Sequence, residues 1–296
     1  MSQVPTPQAT PTLVQATLAW FTKAARDLPW RRDSCTPWGV LVSEVMLQQT
    51  QVDRVLPVWL AWLERWPTHG DLAAANLGSV LRAWGRLGYP RRAQRLHAAA
   101  KVLVDQYHGR VPDDDAALRA LPGVGEYTAA AVRAFAFGQP SVVLDTNVRR
   151  VIARACSGMA LPAAHLTNIE RTLAATLVQT AGDEGARWSA AVMELGALVC
   201  TTRGPLCGDC PIQAQCSWYQ AGRPANVVPR RQQPRFTGSD RQVRGLILAQ
   251  LREGSVPVAA MDLIWPIDDQ RQRALVALQA EGLVITRRGR YRLPDS

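Results

Sequence analysis

The chain has 296 residues, of which 47% are hydrophobic, so it can bury a sizeable core in two or three domains. Its formal net charge is +10, and arginine supplies nearly all of the positive charge because Lys23 and Lys101 are the only lysines. This surplus favours a nucleic-acid partner, since guanidinium groups bind phosphates in a bidentate manner, although a basic composition shared by a whole genome would give the same charge. No apolar run reaches membrane-spanning length and no secretory leader is present, which excludes membrane and secreted proteins and predicts a cytoplasmic one, associated with the nucleoid if bacterial.

Up to residue 221 the sequence predicts a body made of helices. Residues 1–12 are rich in Pro, Thr and Gln and are predicted to be disordered. Trp59, Trp62 and Trp66 follow helical spacing and are predicted to lie in the core. Apolar periodicity predicts helices over residues 14–28, 40–66 with a break at Pro57, 72–88, 91–108, 116–121, 128–137, 151–155, 169–180 and 186–199.

Residues 121–150 combine a glycine hairpin, an alanine-rich helix, a short apolar run and one aspartate. Gly123-Val124-Gly125 interrupts the helical pattern, and Glu126 restarts it. Glycines before a helix leave several backbone N–H groups free on one side, and phosphate is a suitable ligand for them. Taken alone, however, the hairpin favours an ordinary corner between two helices.

The last part of the chain differs from the helical body. Residues 222–240 are rich in Pro, Gly and Arg and are predicted to be a linker. Two amphipathic helices, 242–253 and 269–281, and a hairpin over 283–293 then predict a small winged-helix-like module at 241–296. Its wing holds four arginines that could contact DNA, although a solvated hairpin packed on the main body is equally compatible with the pattern: Arg287, Arg288, Arg290 and Arg292.

Four of the six cysteines follow the pattern C-x6-C-x2-C-x5-C: Cys200, Cys207, Cys210 and Cys216. In an intracellular protein such a group indicates metal binding or catalysis rather than disulfides. Zinc ribbons usually present two C-x2-C pairs, whereas one such pair flanked by single cysteines fits a cubane iron–sulfur cluster better. Cys35 and Cys156 are isolated and are predicted to be packing residues.

The cysteine spacing, placed after a glycine hairpin and an aspartate, resembles that of the helix–hairpin–helix DNA glycosylases, the relatives of endonuclease III. Within that superfamily several segments resemble the MutY-type adenine DNA glycosylases: LPWR (28–31), SEVMLQQTQV (43–52), LGY (87–89), LPGVGEYTA (121–129) and LDTNVRRV (144–151). The resemblance implies a mainly helical fold of two lobes with a [4Fe–4S] cluster loop. It also implies a monomer that acts on double-stranded DNA containing a mismatch. The expected domains are an iron–sulfur domain at 13–34 with 146–221, a helical barrel with the hairpin at 35–145, and then the linker and the module.

Hydrolysis of an N-glycosidic bond needs an acid for the departing base and negative charge near the developing sugar cation. Glycoside hydrolysis divides that work between two carboxyl groups. Glu44 lies in an apolar helical stretch, where burial would raise its pKa and keep it protonated as the acid. Asp145 follows an apolar run at a helix start, where N–H groups would hold it ionised.

The resemblance also implies roles for residues that contact DNA. Gln49 and Tyr89 would wedge into the duplex around the mispair, and Thr50 would lie beside the opposing damaged guanine. Tyr127 and Asn147 would lie beside the flipped sugar near Asp145. Trp30 and Arg31 would form the wall of the adenine pocket. The phosphate beside the lesion would be bound by Gly123, Val124 and Gly125.

The predicted function is removal of adenine mispaired with 8-oxoguanine or guanine, without strand cleavage. Endonuclease III-type enzymes cut the strand through a lysine on the hairpin helix, but here that position is Tyr127, and both lysines are distant in sequence. Other classes stay open: a mismatch-specific thymine or uracil glycosylase, a non-catalytic iron–sulfur DNA-binding protein, and a structural all-α scaffold.

The sequence departs from the family pattern in three places. Many relatives carry Gln or Glu at the position of Ala190, where the side chain hydrogen-bonds adenine. Arg86 and Pro90 replace the usual residues around LGY. Bacterial members commonly end in a β-rich domain that reads 8-oxoguanine, whereas this chain ends in the winged-helix-like module, so recognition of 8-oxoguanine is less firmly implied than removal of adenine.

Overall fold

The computed structural model describes residues 9–225 and 236–294, which are mainly helical, as the sequence predicts. No helix in these ranges is long and apolar enough to cross a membrane. The α-helices are α1 (Ala9–Ala24), α2 (Pro37–Leu47), α3 (Val52–Arg65), α4 (His69–Ala74), α5 (Leu77–Trp84), α6 (Arg91–Gln106), α7 (Asp115–Ala120), α8 (Glu126–Phe137), α9 (Thr146–Ser157), α10 (Asn168–Ala181), α11 (Gly185–Leu198), α12 (Ser217–Gln220), α13 (Asp240–Glu253) and α14 (Asp268–Ala280). The strands are β1 (Val256–Pro257), β2 (Ile285–Arg287) and β3 (Arg290–Arg292).

The predicted disorder of residues 1–12 is wrong for its last part, because α1 begins at Ala9. Pro11 lies in the first turn, where the missing N–H removes no intrahelical hydrogen bond. Leu13 and Val14 follow it and are buried, so packing holds the start of the helix in place. Residues 1–8 lie outside the described residues.

Other helix boundaries also differ from the prediction, and α1 ends at Ala24 rather than at residue 28. The stretch 40–66 breaks at residues 48–51 rather than at Pro57, which lies inside α3 on an exposed side where water can reach the carbonyl group left without its N–H. The stretch 72–88 forms two helices, because Asn76 caps α5 by accepting a hydrogen bond from Ser79 N at 2.7 Å.

The chain divides into two compact units, each with its own core. The first unit consists of Met1–Leu41, Asp113–Arg119 and Val124–Arg230, and the second of Val42–Pro112, Ala120–Gly123 and Arg231–Ser296. In the first unit α1, α9, α10 and α11 pack around Trp188. In the second, Trp62 packs edge-on against Trp66 and Trp84, with ring centroids 4.7 and 5.7 Å away. The tryptophans of α3 are therefore core residues, as predicted.

The C-terminal module belongs to the second unit. Helix α13 packs on α14, and the three short strands form an antiparallel sheet in the order β1–β3–β2. The order helix, strand, 3-10 turn, helix and hairpin is that of a winged helix. Sequence reasoning missed β1 and the 3-10 turn at Val258–Leu263. Part of the predicted linker, 226–235, lies outside the described residues.

Candidate active site and cysteine pocket

Asp145 is the residue that begins α9. Its backbone is extended (φ −83°, ψ −179°), so the side chain folds back over the first turn and Oδ1 accepts a hydrogen bond from Val148 N at 2.6 Å. Oδ2 accepts a second hydrogen bond from Nδ2 of Asn147 at 2.8 Å. Two predicted site residues, Asp145 and Asn147, therefore lie in contact within the first unit.

The surroundings of Asp145 act on its carboxylate in opposite directions. Burial raises the pKa of Asp145 above its ordinary value, and the hydrogen bonds from Val148 and Asn147, with the positive charge of Arg150, lower it only in part. The sequence predicts the second effect and not the first. Because this carboxylate is partly buried, its charge acts more strongly on a neighbouring cation than it would in bulk solvent.

A chain of hydrogen bonds runs from Asp145 to the cysteine loop. Oδ1 of Asn147 accepts from Nη2 of Arg150 at 2.8 Å. The same guanidinium donates to the carbonyl oxygens of Gly196 at 2.6 Å and Cys200 at 2.7 Å. Gly196 permits this approach, since a Cβ there would lie 2.7 Å from Cβ of Asn147. Arg150 is thus a positioning residue that sequence reasoning missed; its signal is that Arg150 and Arg154 lie among apolar residues on the buried side of α9.

Tyr127 lies in the first turn of α8, also in the first unit. It packs against a small cluster made by Ala130, Ala131, Ala134 and Val143. Val143 belongs to the apolar run that leads into Asp145, so Tyr127 packs against the cluster that holds a residue two positions before Asp145.

Arg31 lies in a 3-10 turn (Pro29–Arg31) and is held by a buried carboxylate. Its Nη2 donates to Oε2 of Glu194 at 3.0 Å, and Arg26 donates to both oxygens of the same group, from Nε at 2.8 Å and from Nη2 at 2.7 Å. Burial alone would raise the pKa of Glu194, but the hydrogen bonds from Arg26 and Arg31 outweigh it and bring the pKa down to about 2. Trp30 is only 6% exposed. Packing and this ion pair therefore fix both residues predicted for the pocket wall.

Glu44 lies on α2 and is 4% exposed, between the buried residues Ser43 and Val45. The predicted burial is confirmed. A carboxyl group in such apolar surroundings costs free energy unless it is hydrogen-bonded or protonated. Glu44 belongs to the second unit, whereas Asp145 belongs to the first.

The predicted wedge residues Gln49 and Tyr89 share an unusual backbone conformation. Their φ angles are 55° and 46°, in the left-handed region that non-glycine residues rarely adopt, and both side chains are exposed. One buried arginine holds both segments. Nη1 of Arg92 donates to the carbonyl oxygens of residues 45, 46 and 48, and Nη2 donates to those of residues 87 and 88.

Arg92 therefore fixes the C-terminal end of α2 and the loop before α6 to each other. Burial lowers its pKa to about 10, so it keeps its charge at neutral pH. Nη2 also donates to Oγ1 of Thr50 at 3.0 Å, and Thr50 is 9% exposed. The hydroxyl predicted to lie beside the opposing guanine is thus already bound by Arg92. Sequence reasoning missed this arginine, because its partners are backbone carbonyl groups.

The glycine hairpin uses its two glycines for different reasons. Gly123 has a φ of 84°, and a Cβ there would lie 2.8 Å from Cβ of Arg95, so neither the backbone nor the space admits a side chain. Gly125 begins α8 without a side-chain cap, and nothing lies within 4 Å of the place where its Cβ would be. Val124 is buried between them. The exposed glycine backbone leaves the first N–H groups of α8 accessible to an anion.

Four cysteines line one pocket of the first unit together with Arg154 and Trp218: Cys200, Cys207, Cys210 and Cys216. None of them forms a disulfide. Arg154 donates to Sγ of Cys200 at 3.3 Å and lies 4.5 Å from the ring centroid of Trp218. Thiolates around one zinc ion stand about 3.8 Å apart, and within residues 9–225 and 236–294 no group of cysteines is placed to hold a single ion. The four cysteines of the predicted cluster loop thus line the same pocket.

The two isolated cysteines are not part of this pocket. Cys156 is 3% exposed in the core of the first unit, as predicted, and burial raises its pKa to about 12. Cys35 is partly exposed, and burial raises its pKa as well.

Comparison with known proteins places the chain in a family. The model of the HhH-GPD superfamily base excision DNA repair proteins matches residues 42–172. The adenine DNA glycosylase of Mycolicibacterium smegmatis is 50% identical over 280 residues, which cover 93% of this chain and 94% of that protein. The chain belongs to the adenine DNA glycosylases of this superfamily. The human adenine DNA glycosylase is 42% identical over 210 residues, covering 67% of this chain and 38% of the human protein.

Solved structures agree on the fold. A thermostable thymine-DNA glycosylase matches with a TM-score of 0.65 at 28% identity, over 72% of this chain and 98% of its own. A trapped covalent intermediate of endonuclease III with DNA matches with a TM-score of 0.62 at 26% identity, over 73% and 98%. The predicted helix–hairpin–helix glycosylase fold is thereby confirmed. The match to the M. smegmatis enzyme covers 93% of this chain, which is more than the chain without its C-terminal module, so the matched region includes most of that module.

Proposed function

We propose that the chain hydrolyses the N-glycosidic bond of adenine mispaired with 8-oxoguanine or guanine in double-stranded DNA, acting as a monomer and leaving the strand intact. The observation that supports this most strongly is the contrast between two carboxyl groups. Asp145 accepts two hydrogen bonds at a helix N-terminus, whereas Glu44 is buried in an apolar helix. Burial raises the pKa of Asp145, and its hydrogen bonds with the positive charge of Arg150 act against that rise, while Glu44 is almost fully buried; two carboxyl groups in such different surroundings can divide the acid role from the charge-stabilising role.

The roles follow from these environments. Glu44 donates its proton to the departing adenine as the bond to C1′ breaks, so the base leaves as a neutral molecule. Asp145 stays ionised and stabilises the cationic sugar until water adds at C1′ and gives a proton to the Glu44 carboxylate, which restores the acid. Asn147 keeps the Asp145 carboxylate oriented, and Arg150 orients Asn147 in turn.

The remaining predicted residues would bind the DNA. Gln49 and Tyr89 are exposed at the tips of the two segments that Arg92 fixes, which suits a wedge that replaces the stacking lost when a base is flipped. Thr50, which follows Gln49 in the chain, would lie at the opposing base. The amides of Gly123, Val124 and Gly125 would bind the phosphate beside the lesion, and Trp30 and Arg31 would form the wall of the adenine pocket.

We expect no strand cleavage because the hairpin helix carries no lysine to act as the nucleophile. Schiff-base chemistry needs an amine, and the hairpin helix presents the phenol of Tyr127 instead. Lys23 lies in the last turn of α1 and Lys101 lies within α6, so neither belongs to α8.

The four pocket cysteines would hold a [4Fe–4S] cluster. The cysteine spacing, one C-x2-C pair flanked by single cysteines, suits a cubane better than zinc, and all four cysteines line one pocket. When bound, such a cluster ties residues 200–216 together covalently and can exchange one electron. The N–H group that Arg154 donates to Sγ of Cys200 would stabilise the ligating thiolate.

One assay tests the proposed substrate. The purified chain is incubated with duplexes containing A opposite 8-oxoguanine, A opposite guanine, or T opposite guanine, and half of each sample is then treated with alkali to cut abasic sites. We expect cleavage of both adenine duplexes only after alkali. Preferential cleavage of the T:G duplex would contradict the adenine assignment and favour the thymine glycosylase alternative, which the similarity to the thymine-DNA glycosylase structure keeps relevant.

A further inference from the structure

The β2–β3 hairpin of the C-terminal module has a strongly basic sheet face. Arg287 pairs directly with Arg290, and Ile285 with Arg292, so these side chains point to the same face, while Thr286 and Tyr291 point to the other. Nε and Nη2 of Arg290 donate to Oγ and to the carbonyl oxygen of Ser255 at 2.8 and 2.6 Å, which fixes the guanidinium in place. This face and the turn residue Arg288 are together called the wing below; its arginines are Arg287, Arg288, Arg290 and Arg292.

Two features of the wing lower the stability of the module. Arg287 and Arg290 stand directly opposite each other, and like charges at such positions repel. Arg288 has a φ of 52° and Gly289 a φ of 69°, as in a type I′ turn, where Asn, Asp or Gly is strongly preferred. Among the described residues Arg287 and Arg288 form no ion pair, and both are exposed. An anion bound between these side chains would relieve the repulsion.

The acidic residues of the module lie elsewhere. Asp262 and Asp268 bind the buried guanidinium of Arg271, and Asp269 follows in the first turn of α14. A helix whose N-terminus carries this much negative charge is unsuited to the major groove of DNA, although that is how many helix-turn-helix proteins bind. The charge distribution therefore favours contact through the wing and not through α14.

The module is attached to the helices that flank the Tyr89 loop. Nε2 of Gln94, on α6, donates to the carbonyl oxygen of Glu281 at 3.1 Å. Nε of Arg82, at the end of α5, donates to the carbonyl oxygen of Arg252 at 3.3 Å, and Arg252 donates back to that of Leu81. All of these residues belong to the second unit. The wing is therefore carried by the same helices as a loop proposed to enter the duplex.

We propose that the wing is a second DNA-binding site, which binds the phosphates of the duplex beside the mispair through Arg287, Arg288, Arg290 and Arg292. The proposal rests on the proposed function only in taking double-stranded DNA as the partner, and it does not depend on which base is removed. Contacts of this kind position the protein without reading sequence. The wing therefore adds affinity for matched and mismatched duplexes alike.

The test compares charge removal on the wing with equal charge removal elsewhere on the module. Affinity for a matched duplex is measured by fluorescence anisotropy at several salt concentrations, for R287A/R288A and for the control R241A/R273A, which removes two exposed arginines of α13 and α14. Each phosphate contact contributes about 0.9 to the slope of log K against log salt and about eightfold in affinity at 0.1 M salt. We expect the wing variant to lose about 1.8 from the slope and the control to lose none. Equal slopes in the two variants would overturn the proposal.

A single substitution separates binding from folding. R288N places a residue suited to φ > 0 in the turn, so we expect a higher Tm together with an affinity about eightfold lower at 0.1 M salt. An arginine with a purely structural role would show no loss of affinity, and that result would contradict the proposal. If the wild type released no adenine while the salt slopes of the variants differed as expected, the proposed function would be wrong, and the proposal that the wing binds DNA would still be supported.

Discussion

Substitution of Glu194 by glutamine perturbs the ion pair that fixes Arg31. The carboxylate is fully buried and binds Arg26 and Arg31. Lowering its pKa from 4.5 to about 2 corresponds to about 3.4 kcal/mol, at about 1.4 kcal/mol per pKa unit. Because the Arg26 side chain is 33% exposed, solvent screens part of this attraction. We expect E194Q to lower the free energy of unfolding by roughly 2–3 kcal/mol at pH 7.

The pH dependence of this loss follows from the sign of the pKa change. A depressed carboxyl pKa contributes stability that is fully present above about pH 4.5 and disappears as the pH falls toward about 2. The difference between wild type and E194Q should therefore shrink to about 1 kcal/mol near pH 3. Urea unfolding at pH 7 and pH 3 measures this difference in the free energy of unfolding. E184Q is the control, because Glu184 pairs with Arg187 at the surface and this ion pair should contribute less than about 1 kcal/mol. An equal loss in both variants, or an E194Q loss that does not change with pH, would refute this reasoning.

Three further predictions concern the segments around the site. R92K keeps the charge but cannot bind both segments with one planar group, so we expect base release at least about tenfold slower, and a wild-type rate would contradict the assigned role. G123A should lower stability by about 1–2 kcal/mol, because Gly123 has a positive φ and Arg95 occupies the space, whereas G125A should fold normally; equal Tm values for the two variants would argue against the hairpin geometry. C210S should lose iron and sulfide together and lower the Tm; stoichiometric zinc in the wild type, measured by metal analysis, would exclude the cluster.

The features that could be predicted from the sequence are local. The capping position of Asp145, the burial of Glu44 and the tryptophans of α3 all follow from periodicity and from residues close in the chain. The same local reasoning predicted the start of α1 too late, because packing against distant helices decides where that helix begins. It also misplaced the end of α2, which is decided by the hydrogen bonds that Arg92 donates to backbone carbonyl groups there.

The residues that sequence reasoning missed bind partners that no sequence pattern identifies. Arg92 and Arg150 donate mainly to backbone carbonyl groups, which every residue has. Glu194 meets Arg26 across 168 positions of the chain. The net direction of the Asp145 pKa could not be predicted either, because it depends on how far burial outweighs the capping hydrogen bonds.

The most direct test of the two-carboxylate mechanism is single-turnover base release from a duplex with A opposite 8-oxoguanine. E44Q and D145N are compared with D114N, which alters an exposed aspartate that caps α7 through Ala117 N. D145N keeps an acceptor for Val148 N, so the helix start should persist. We predict that E44Q and D145N bind the duplex and release adenine at least about a hundredfold more slowly, while D114N behaves as the wild type. Wild-type release by E44Q or D145N would contradict the mechanism.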